Sequence, residues 1–389
     1  MRAKLPLVEV PIVDYGDDQT QMIAYREEGT KRALSLGNRG PIRFDDSGEL
    51  APDIVKAYTE NGFYVFTDVL TATELNEIEA DLADMLHRSP VCKDALVDRD
   101  GNPALGIELE ARNISWVKPL SDPLGGTDAS YGRHEAKMNE PTPPAEAPEH
   151  VVQLFLGSLQ FSDACLRLYG HPQLLRVAEA INGPDFTPFN EAVWIKQPGL
   201  GGSVAWHQDG WTHWNNPELD DHTHGFNFMA QLYGCDATNG LWVVPGSNRL
   251  GKLSIKSMVA AAGSDRLPDA VPLICSPGDV AITSRQAVHG SFANTSSNVR
   301  VTLNFGFHRR SSVLGIRSGG VHNPVSEYNE EYIFERSKLI AWAIDARSQH
   351  FHDEDRYVYE PFVGLEEDFV WSEQTRPLLR DYNLRDIGI

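Results

Sequence analysis

The clearest hydrophobic pattern in the chain predicts a helix that begins just after Thr71. In the segment TATELNEIEADLADMLHR, which ends at Arg88, apolar side chains recur at spacings of three and four residues, so they share one helical face. Thr71 and Glu74 have the spacing of a capping box, in which each side chain bonds the backbone N–H of the other residue. The pattern therefore predicts an amphipathic helix with a defined start.

Short β-rich runs separated by turn residues dominate the chain from about Phe186 onward. They read FTPFNEAVWIKQ, SVAWHQD, FNFMAQLYG, GLWVVPGS, PLICSPGDVAIT and NVRVTLNFGFHR. Several short strands at close spacing are typical of an all-β sandwich or barrel and not of alternating βαβ units. This region is therefore expected to form the body of the protein.

Helical segments are expected on both sides of this β-rich region. Two helices are predicted at about 150–168 and 172–181, the second with Pro172 in its first turn and Gly183 just past its end. A third and longer helix is predicted from Tyr328 to about residue 351. The stretch before the first two, 132–149, is rich in Pro, Glu and Ala and predicts a mobile loop.

The same patterns divide the chain into three parts. Residues 1–50 mix charge, glycine and short apolar runs, and predict an extended N-terminal arm packed on the body or on a partner. Residues 51–315 are expected to form the β-rich domain together with the helices that precede it. Residues 316–389 are expected to form a C-terminal helical extension that packs on the barrel or on a second subunit. Of these two interpretations of the extension, a homodimer is slightly favoured.

Amino-acid composition limits the binding partners that the protein can have and the cellular compartments that suit it. The formal net charge is −21, from 34 basic and 55 acidic residues, which argues against binding nucleic acid or an anionic membrane. The four cysteines form no CxxC pair and suit buried thiols in a reducing compartment. No stretch approaches the length of a membrane span and no signal peptide is visible. We therefore expect a soluble, cytoplasmic protein.

A histidine and a carboxylate in AWHQDG form the strongest chemical signal in the sequence. In an extended segment His207 and Asp209 project from the same face. His289, in AVHGS, is the best candidate for a third ligand, because the strands between can return the chain to the same pocket. Two imidazoles and one carboxylate are the facial triad that binds non-haem iron(II) and leaves coordination positions open. A 2-oxo acid and oxygen can fill those positions.

Arg300 is the candidate for holding such a cosubstrate. It lies 11 positions after His289, beyond a short loop that would return the chain beside the first strand. Its planar fork can bind the distal carboxylate of 2-oxoglutarate through charge-assisted hydrogen bonds, and Ser291 could add a hydroxyl. Each element alone is weak, because His-x-Asp triplets are common and an arginine between valines also suits an amphipathic strand. The hypothesis depends on the joint pattern.

The segment from about residue 62 to 310 resembles the phytanoyl-CoA dioxygenase family of 2-oxoglutarate and iron(II)-dependent oxygenases. The matching segments follow the family's order: NGFYVFTDVLTATEL, WIKQPG, AWHQDG, ATNGLWVVPGSNRLGK, PGDVAI and HGSFANTSSNVRVTLNF. The resemblance implies a double-stranded β-helix, or jelly roll, that is mainly β with flanking α-helices. It also implies that His207, Asp209 and His289 bind iron, and that Arg300 and Ser291 bind 2-oxoglutarate.

Further site candidates follow from the same alignment of motifs and from position. They are Gln231 and Lys196 near the cosubstrate, and Trp211, Trp214 and Trp242 along a substrate pocket. For the tryptophans, packing in the core is a comparable explanation. The basic run at 308–310 could contact an anionic substrate at a strand end, or merely be solvated there.

The resemblance implies an enzyme that oxidises a small organic substrate and releases succinate and CO2. Because Asp209 is present, hydroxylation is favoured over halogenation, for which related enzymes replace this carboxylate by a small residue. A CoA thioester is not favoured, since no basic segment is concentrated enough for the phosphates of the nucleotide. Two alternatives remain open. A metal-dependent cupin-like enzyme without 2-oxoglutarate would make Arg300 dispensable, and a non-catalytic binding barrel would turn over no 2-oxo acid.

Overall fold

Two β-sheets form the centre of this computed structural model, which describes residues 5, 7, 11–209, 225–318 and 324–387. The strands are β1 (Arg39–Gly40), β2 (Phe63–Phe66), β3 (Ile114–Val117), β4 (Val151–Leu156), β5 (Thr187–Lys196), β6 (Val204–His207), β7 (Phe226–Gln231), β8 (Trp242–Val243), β9 (Val271–Pro272), β10 (Val280–Ser284), β11 (His289–Ser291), β12 (Arg300–His308), β13 (Arg317–Ser318) and β14 (Ser326–Glu327). The helices are α1 (Gln19–Ser35), α2 (Pro52–Asn61), α3 (Ala72–Arg88), α4 (Asp163–Tyr169), α5 (Pro172–Asn182), α6 (Ile255–Ala262) and α7 (Glu330–His350).

The sheets have the architecture of a double-stranded β-helix with helices at its flanks. The larger sheet has the order β1-β2-β10-β7-β12-β5-β4-β3, and the smaller has the order β6-β11-β8-β9. Their long pairings are antiparallel, as between β12 and its neighbours β5 and β7. The mainly β jelly roll expected from the sequence is confirmed. None of the helices in the described ranges is long and apolar enough to cross a membrane.

Strand β12 shows why the larger sheet has two different faces. Successive side chains of a strand point to opposite sides of the sheet. One set belongs to the main hydrophobic core: Val301, Leu303, Phe305 and Phe307. The alternate set is polar and buried: Arg300, Thr302, Asn304 and His308. The apolar face therefore packs under the helices, and the polar face lines the interior of the β-helix.

Neighbouring strands extend the polar face across the sheet. Arg300 pairs with Lys196 of β5, and Thr302 pairs with Gln231 of β7. Lys196 donates its ammonium group to the carbonyl of Phe292, which follows β11 of the smaller sheet. The polar interior thus spans the space between the two sheets.

Helix α3 confirms the strongest prediction from the sequence. Both halves of the capping box are formed, with Thr71 Oγ1 accepting from the Glu74 backbone and Glu74 accepting from the Thr71 backbone. The helix predicted at 172–181 is confirmed as α5, which ends at Gly183. The helix predicted at the start of the C-terminal extension is confirmed as α7, which is capped by Asn329.

The helix predicted at 150–168 is wrong over its first half. Residues 151–156 form β4, which pairs with β3 on one side and β5 on the other. A short 3-10 turn at Ser158–Gln160 follows, and the α-helix α4 begins only at Asp163. Short apolar runs do not distinguish helix from strand by periodicity, and the β-branched Val151 and Val152 with Phe155 suit a sheet with partners on both sides.

The first 50 residues also differ from the extended arm that the sequence predicted. They contain the 17-residue helix α1. Its buried residues are Met22, Arg26, Gly29 and Ala33, a set that shares one helical face but lacks a hydrophobic pattern. At Gly29 an added Cβ would lie 2.6 Å from the Trp242 ring. Glycine therefore lets this helix approach the smaller sheet closely.

Candidate metal centre and cosubstrate site

The smaller sheet brings His207 and His289 side by side. His207 ends β6 and His289 begins β11, and the two residues face each other in the antiparallel pairing of these strands. Their ring centroids are 4.1 Å apart. Asp209 follows β6, and its backbone N–H donates to the carbonyl of Arg285 at 2.9 Å. One ligand atom from each of His207, Asp209 and His289 lies within 4.8 Å of the other two, which is a geometry able to hold a metal ion.

Backbone carbonyls orient both imidazole rings toward this centre. His207 Nδ1 lies 2.7 Å from the carbonyl of Ala205, and His289 Nδ1 lies 2.9 Å from that of Ala287. A proton on Nδ1 that is shared with a carbonyl leaves Nε2 as the ligand atom. Burial lowers the pKa of His289 to about 4. This imidazole is therefore neutral near pH 7, the state in which histidine binds metals.

Asp209 is held in its ionised form by its neighbours. Burial alone would raise the pKa of this carboxyl, but its polar neighbours, His207 and the guanidinium groups of Arg285 and Arg133 among them, hold it well below its usual range. Asn227 Nδ2 donates to Asp209 Oδ2 at 3.2 Å. The three side chains together therefore offer two imidazole nitrogens and a carboxylate, the donor set that suits iron(II).

Arg300 lies in the polar interior at the start of β12, opposite Lys196. It is 5% exposed, and one guanidinium nitrogen donates to the carbonyl of Asn239 at 3.1 Å. Its Nε has no hydrogen-bond partner, and among the described residues no carboxylate forms a salt bridge with it. Burial lowers its pKa to about 10. A buried guanidinium in this condition favours an incoming anion, because pairing offsets the cost of desolvation.

The other candidates for the cosubstrate also lie in this interior. Lys196 is buried, and burial together with the charge of Arg300 holds its pKa well below its usual range. Gln231 Oε1 accepts from Thr302 Oγ1 at 3.0 Å. Ser291 is buried at the end of β11. Contact of these residues with 2-oxoglutarate stays a prediction.

Trp242 lies away from the polar interior and packs against helix α1. Its ring is fully buried and stacks on Tyr25, with centroids 4.5 Å apart, and it meets Phe292 edge to face. This environment supports the packing interpretation that the sequence left open. The other two candidates for the substrate pocket, Trp211 and Trp214, lie outside the described residues.

The structure adds residues that the sequence interpretation missed. Arg133 and His134 come from the loop predicted at 132–149, and they reach the metal centre. Arg133 Nη1 lies 3.3 Å from Asp209 Oδ1, and the ring of His134 lies 4.4 Å from that of His207. Arg285 Nε lies 3.7 Å from Asp209 Oδ2. No motif marks residues in an irregular loop, although Arg285 could have been found from its place four residues before His289.

Comparison with known proteins agrees with this architecture. The family model described as phytanoyl-CoA dioxygenase matches residues 58–302, which is more than half of the chain. No curated protein matches the chain.

Several solved structures are similar to this chain at low sequence identity. EctD from S. alaskensis, whose crystal structure contains 2-oxoglutarate and 5-hydroxyectoine, is 18% identical over 71% of this chain and 82% of its own, with a TM-score of 0.48. AviO1 from Streptomyces viridochromogenes is 21% identical over 65% of this chain and 92% of its own, with a TM-score of 0.44. EvdMO1 is 21% identical over 65% of this chain, with a TM-score of 0.44. This chain spans only 49% of the length of EvdMO1. On the match to the family model, the chain belongs to the phytanoyl-CoA dioxygenase family of iron(II) and 2-oxoglutarate-dependent oxygenases.

Proposed function

We propose that the protein hydroxylates a small organic substrate at an iron(II) ion held by His207, Asp209 and His289. The observation that carries the proposal is the convergence of two oriented imidazoles and an ionised carboxylate within 4.8 Å. When bound, iron with 2-oxoglutarate and oxygen supplies the oxidation of a C–H bond, with release of succinate and CO2. The carboxylate of Asp209 favours hydroxylation over halogenation.

Arg300 is proposed to hold the distal carboxylate of 2-oxoglutarate. Its open Nε and its position opposite Lys196 leave an unneutralised, buried positive region on the inner face. A dianion that chelates a metal at one end and meets a guanidinium at the other fits this arrangement, because charge-assisted pairs are strong in a buried site. Gln231 and Ser291 are proposed to complete the polar wall around it.

A matched pair of ligands tests the role of Arg300 directly. 2-Oxoglutarate and 2-oxobutyrate share the chelating keto-acid end, but only the first has a distal carboxylate. Calorimetry on the manganese(II)-loaded protein should show roughly 100-fold tighter binding of 2-oxoglutarate, the equivalent of about two charge-assisted hydrogen bonds. Arg300→Met should bind both ligands with similar affinity, and Arg300→Lys should keep part of the difference.

The control is Arg249→Met, which removes an exposed arginine and should behave as wild type. Equal affinities of the wild-type protein for the two acids would contradict the proposal. A difference that survives in Arg300→Met would also contradict it. Either result would favour a metal-dependent enzyme of the cupin type that does not use 2-oxoglutarate.

A homodimer and a cytoplasmic location are parts of the proposal that rest on the sequence alone. The net charge of −21 supports a small-molecule substrate in preference to nucleic acid or a membrane. Helix α7 is covered largely by its own chain, where it packs on α4 and β5, which supports the interpretation that the extension packs on the barrel. Sedimentation velocity at micromolar concentration separates the two oligomeric states.

A further inference from the structure

Basic side chains lie at both ends of the polar interior. The proposed binding of 2-oxoglutarate explains those at the Arg300 end but not those at the other end. Arg300 and Lys196 occupy the start of β12 and the end of β5. At the other end, His308 closes β12 and lies 2.6 Å from Arg285 Nη1. Arg285 packs over the Phe189 ring at 3.6 Å. Asp209 is the carboxylate that faces Arg285, and a second guanidinium, that of Arg133, faces it as well.

Arg133 differs from Arg285 in how firmly it is held. Arg285 is fully buried, whereas the Arg133 side chain is 20% exposed and comes from a loop. At this centre it forms an ion pair with Asp209 Oδ1 at 3.3 Å, and within the described ranges its Nε has no hydrogen-bond partner. A divalent metal on Asp209 takes up the charge of the same carboxylate and repels the guanidinium. Metal loading therefore leaves Arg133 in need of another anion.

His134 supplies a second, independent sign of a ligand at this position. The residue is 2% exposed and lies against His207, and neither of its ring nitrogens has a hydrogen-bond partner among the residues that the structure describes. Buried polar atoms are nearly always paired with protein, water or a ligand. Among the described residues, the Oδ1 atoms of Asn227 and Asn304 on the same inner face also lack partners. These groups can form hydrogen bonds with a polar molecule that binds beside the metal centre.

We propose that Arg133 and His134 form a substrate subsite for a carboxylate group, so that the substrate is a small organic acid. The inference rests on the proposed function, because the metal on Asp209 is what frees Arg133. One forked guanidinium provides a single positive charge, which matches a monoanionic carboxylate better than a phosphate dianion. The acid is thereby held next to the metal, while Arg300 at the opposite end holds the cosubstrate.

A paramagnetic metal reports whether an acid binds at this place. In the protein loaded with manganese(II) and saturated with 2-oxoglutarate, proton relaxation of three small probes is measured: butanoate, butanamide and propyl phosphate. Butanoate bound beside the metal relaxes faster, and a zinc(II)-loaded sample gives the diamagnetic blank. We expect butanoate to bind at least tenfold more tightly than butanamide or propyl phosphate. Arg133→Met should weaken butanoate about tenfold, and Arg133→Lys should restore part of the loss.

The outcomes separate the inference from the proposed function. Calorimetry first establishes whether 2-oxoglutarate binds the manganese-loaded protein; if it does not, the proposed function fails and the subsite fails with it. If it does, the subsite is overturned by any of three results: no enhancement for butanoate, equal enhancement for the amide, or an effect unchanged in Arg133→Met. Tighter binding of propyl phosphate would overturn the assignment to a carboxylate. Arg249→Met is the matched control and should bind butanoate as wild type does.

Discussion

Two buried basic residues, Lys196 and Arg300, face each other across a strand pair, and neither forms a salt bridge with a carboxylate in the described part of the chain. Such an arrangement is costly, because both groups lose water and repel each other. Burial and the charge of Arg300 accordingly hold the pKa of Lys196 well below its usual range. A bound dianion offsets this desolvation and repulsion, so the residues that are unfavourable without a ligand favour binding of the cosubstrate.

This arrangement predicts that 2-oxoglutarate binding takes up protons. The bound dianion stabilises the ammonium form of Lys196, so its pKa rises on binding, and affinity should fall as pH increases from neutrality toward the usual range of a lysine. Calorimetry in two buffers of different ionisation enthalpy measures the proton uptake. Lys196→Met should remove both the uptake and the pH dependence. No uptake in the wild-type protein across this range would contradict the account of Lys196.

At the scale of the elements, α3 and α7 are joined by a buried ion pair. Arg347 of α7 lies 2.9 Å from Glu74 in the first turn of α3, with both side chains under 10% exposed. Arg347 also donates to Glu354 at 2.6 Å. Because Glu74 is part of the capping box as well, this pair couples the start of one helix to the end of the other.

Arg347→Met should therefore be strongly destabilising. It leaves the Glu74 carboxylate buried without its partner, which costs roughly 3 to 5 kcal/mol in the free energy of unfolding. Urea unfolding measures the change. Arg43→Met removes an exposed arginine paired with Asp53 and should leave the unfolding midpoint near that of the wild type. A small effect of Arg347→Met would contradict the structural role assigned to the pair.

Helix α1 offers a second test at this scale. Alanine is a better helix former than glycine by about 1 kcal/mol, so Gly29→Ala would stabilise an isolated helix. In the protein the new Cβ would meet the buried Trp242 ring at 2.6 Å. We expect this variant to loosen α1, seen as faster proteolysis of the N-terminal region. Glu27→Ala, on the exposed side of α1, should be cleaved at the wild-type rate. If both variants resist proteolysis equally, the packing of Gly29 against Trp242 is contradicted.

At the scale of the whole molecule, the site is assembled between the two sheets. The smaller sheet provides His207 and His289, and the larger sheet provides Arg300. A ligand that contacts groups from both sheets should therefore stabilise the fold as a whole. Ligands that bind only the folded state stabilise it by about 2.7 kcal/mol at 100 times their Kd.

The midpoint temperature of thermal unfolding should accordingly rise in two steps that occur in a fixed order. Manganese(II) should raise the midpoint, and 2-oxoglutarate should raise it further only after the metal is present. In Arg300→Met the first step should remain and most of the second should be lost. A large shift from 2-oxoglutarate without metal would contradict an assembly in which the metal anchors the keto-acid end.

The sequence was most informative where chemistry imposes a spacing. The clustering of the two histidines with Asp209 and the inward position of Arg300 could be predicted, because the proposed metal and carboxylate sites demand these residue types on paired strands. Helix α1 was missed because its buried face contains Arg26 and Gly29, which give no hydrophobic period. Arg133 and His134 were missed because a loop has no periodicity, and only the tertiary fold brings it to the metal centre.

The most direct test of the central claim is an anaerobic titration of the apo protein with iron(II) and then 2-oxoglutarate, followed by visible absorption. We predict a weak charge-transfer band that appears only when both are present. Asp209→Ala should lose the band through loss of iron, and Arg300→Met should require far more 2-oxoglutarate to form it. Iron bound normally by the wild-type protein with no band at saturating 2-oxoglutarate would contradict the claim that the keto acid binds at the His207–Asp209–His289 centre.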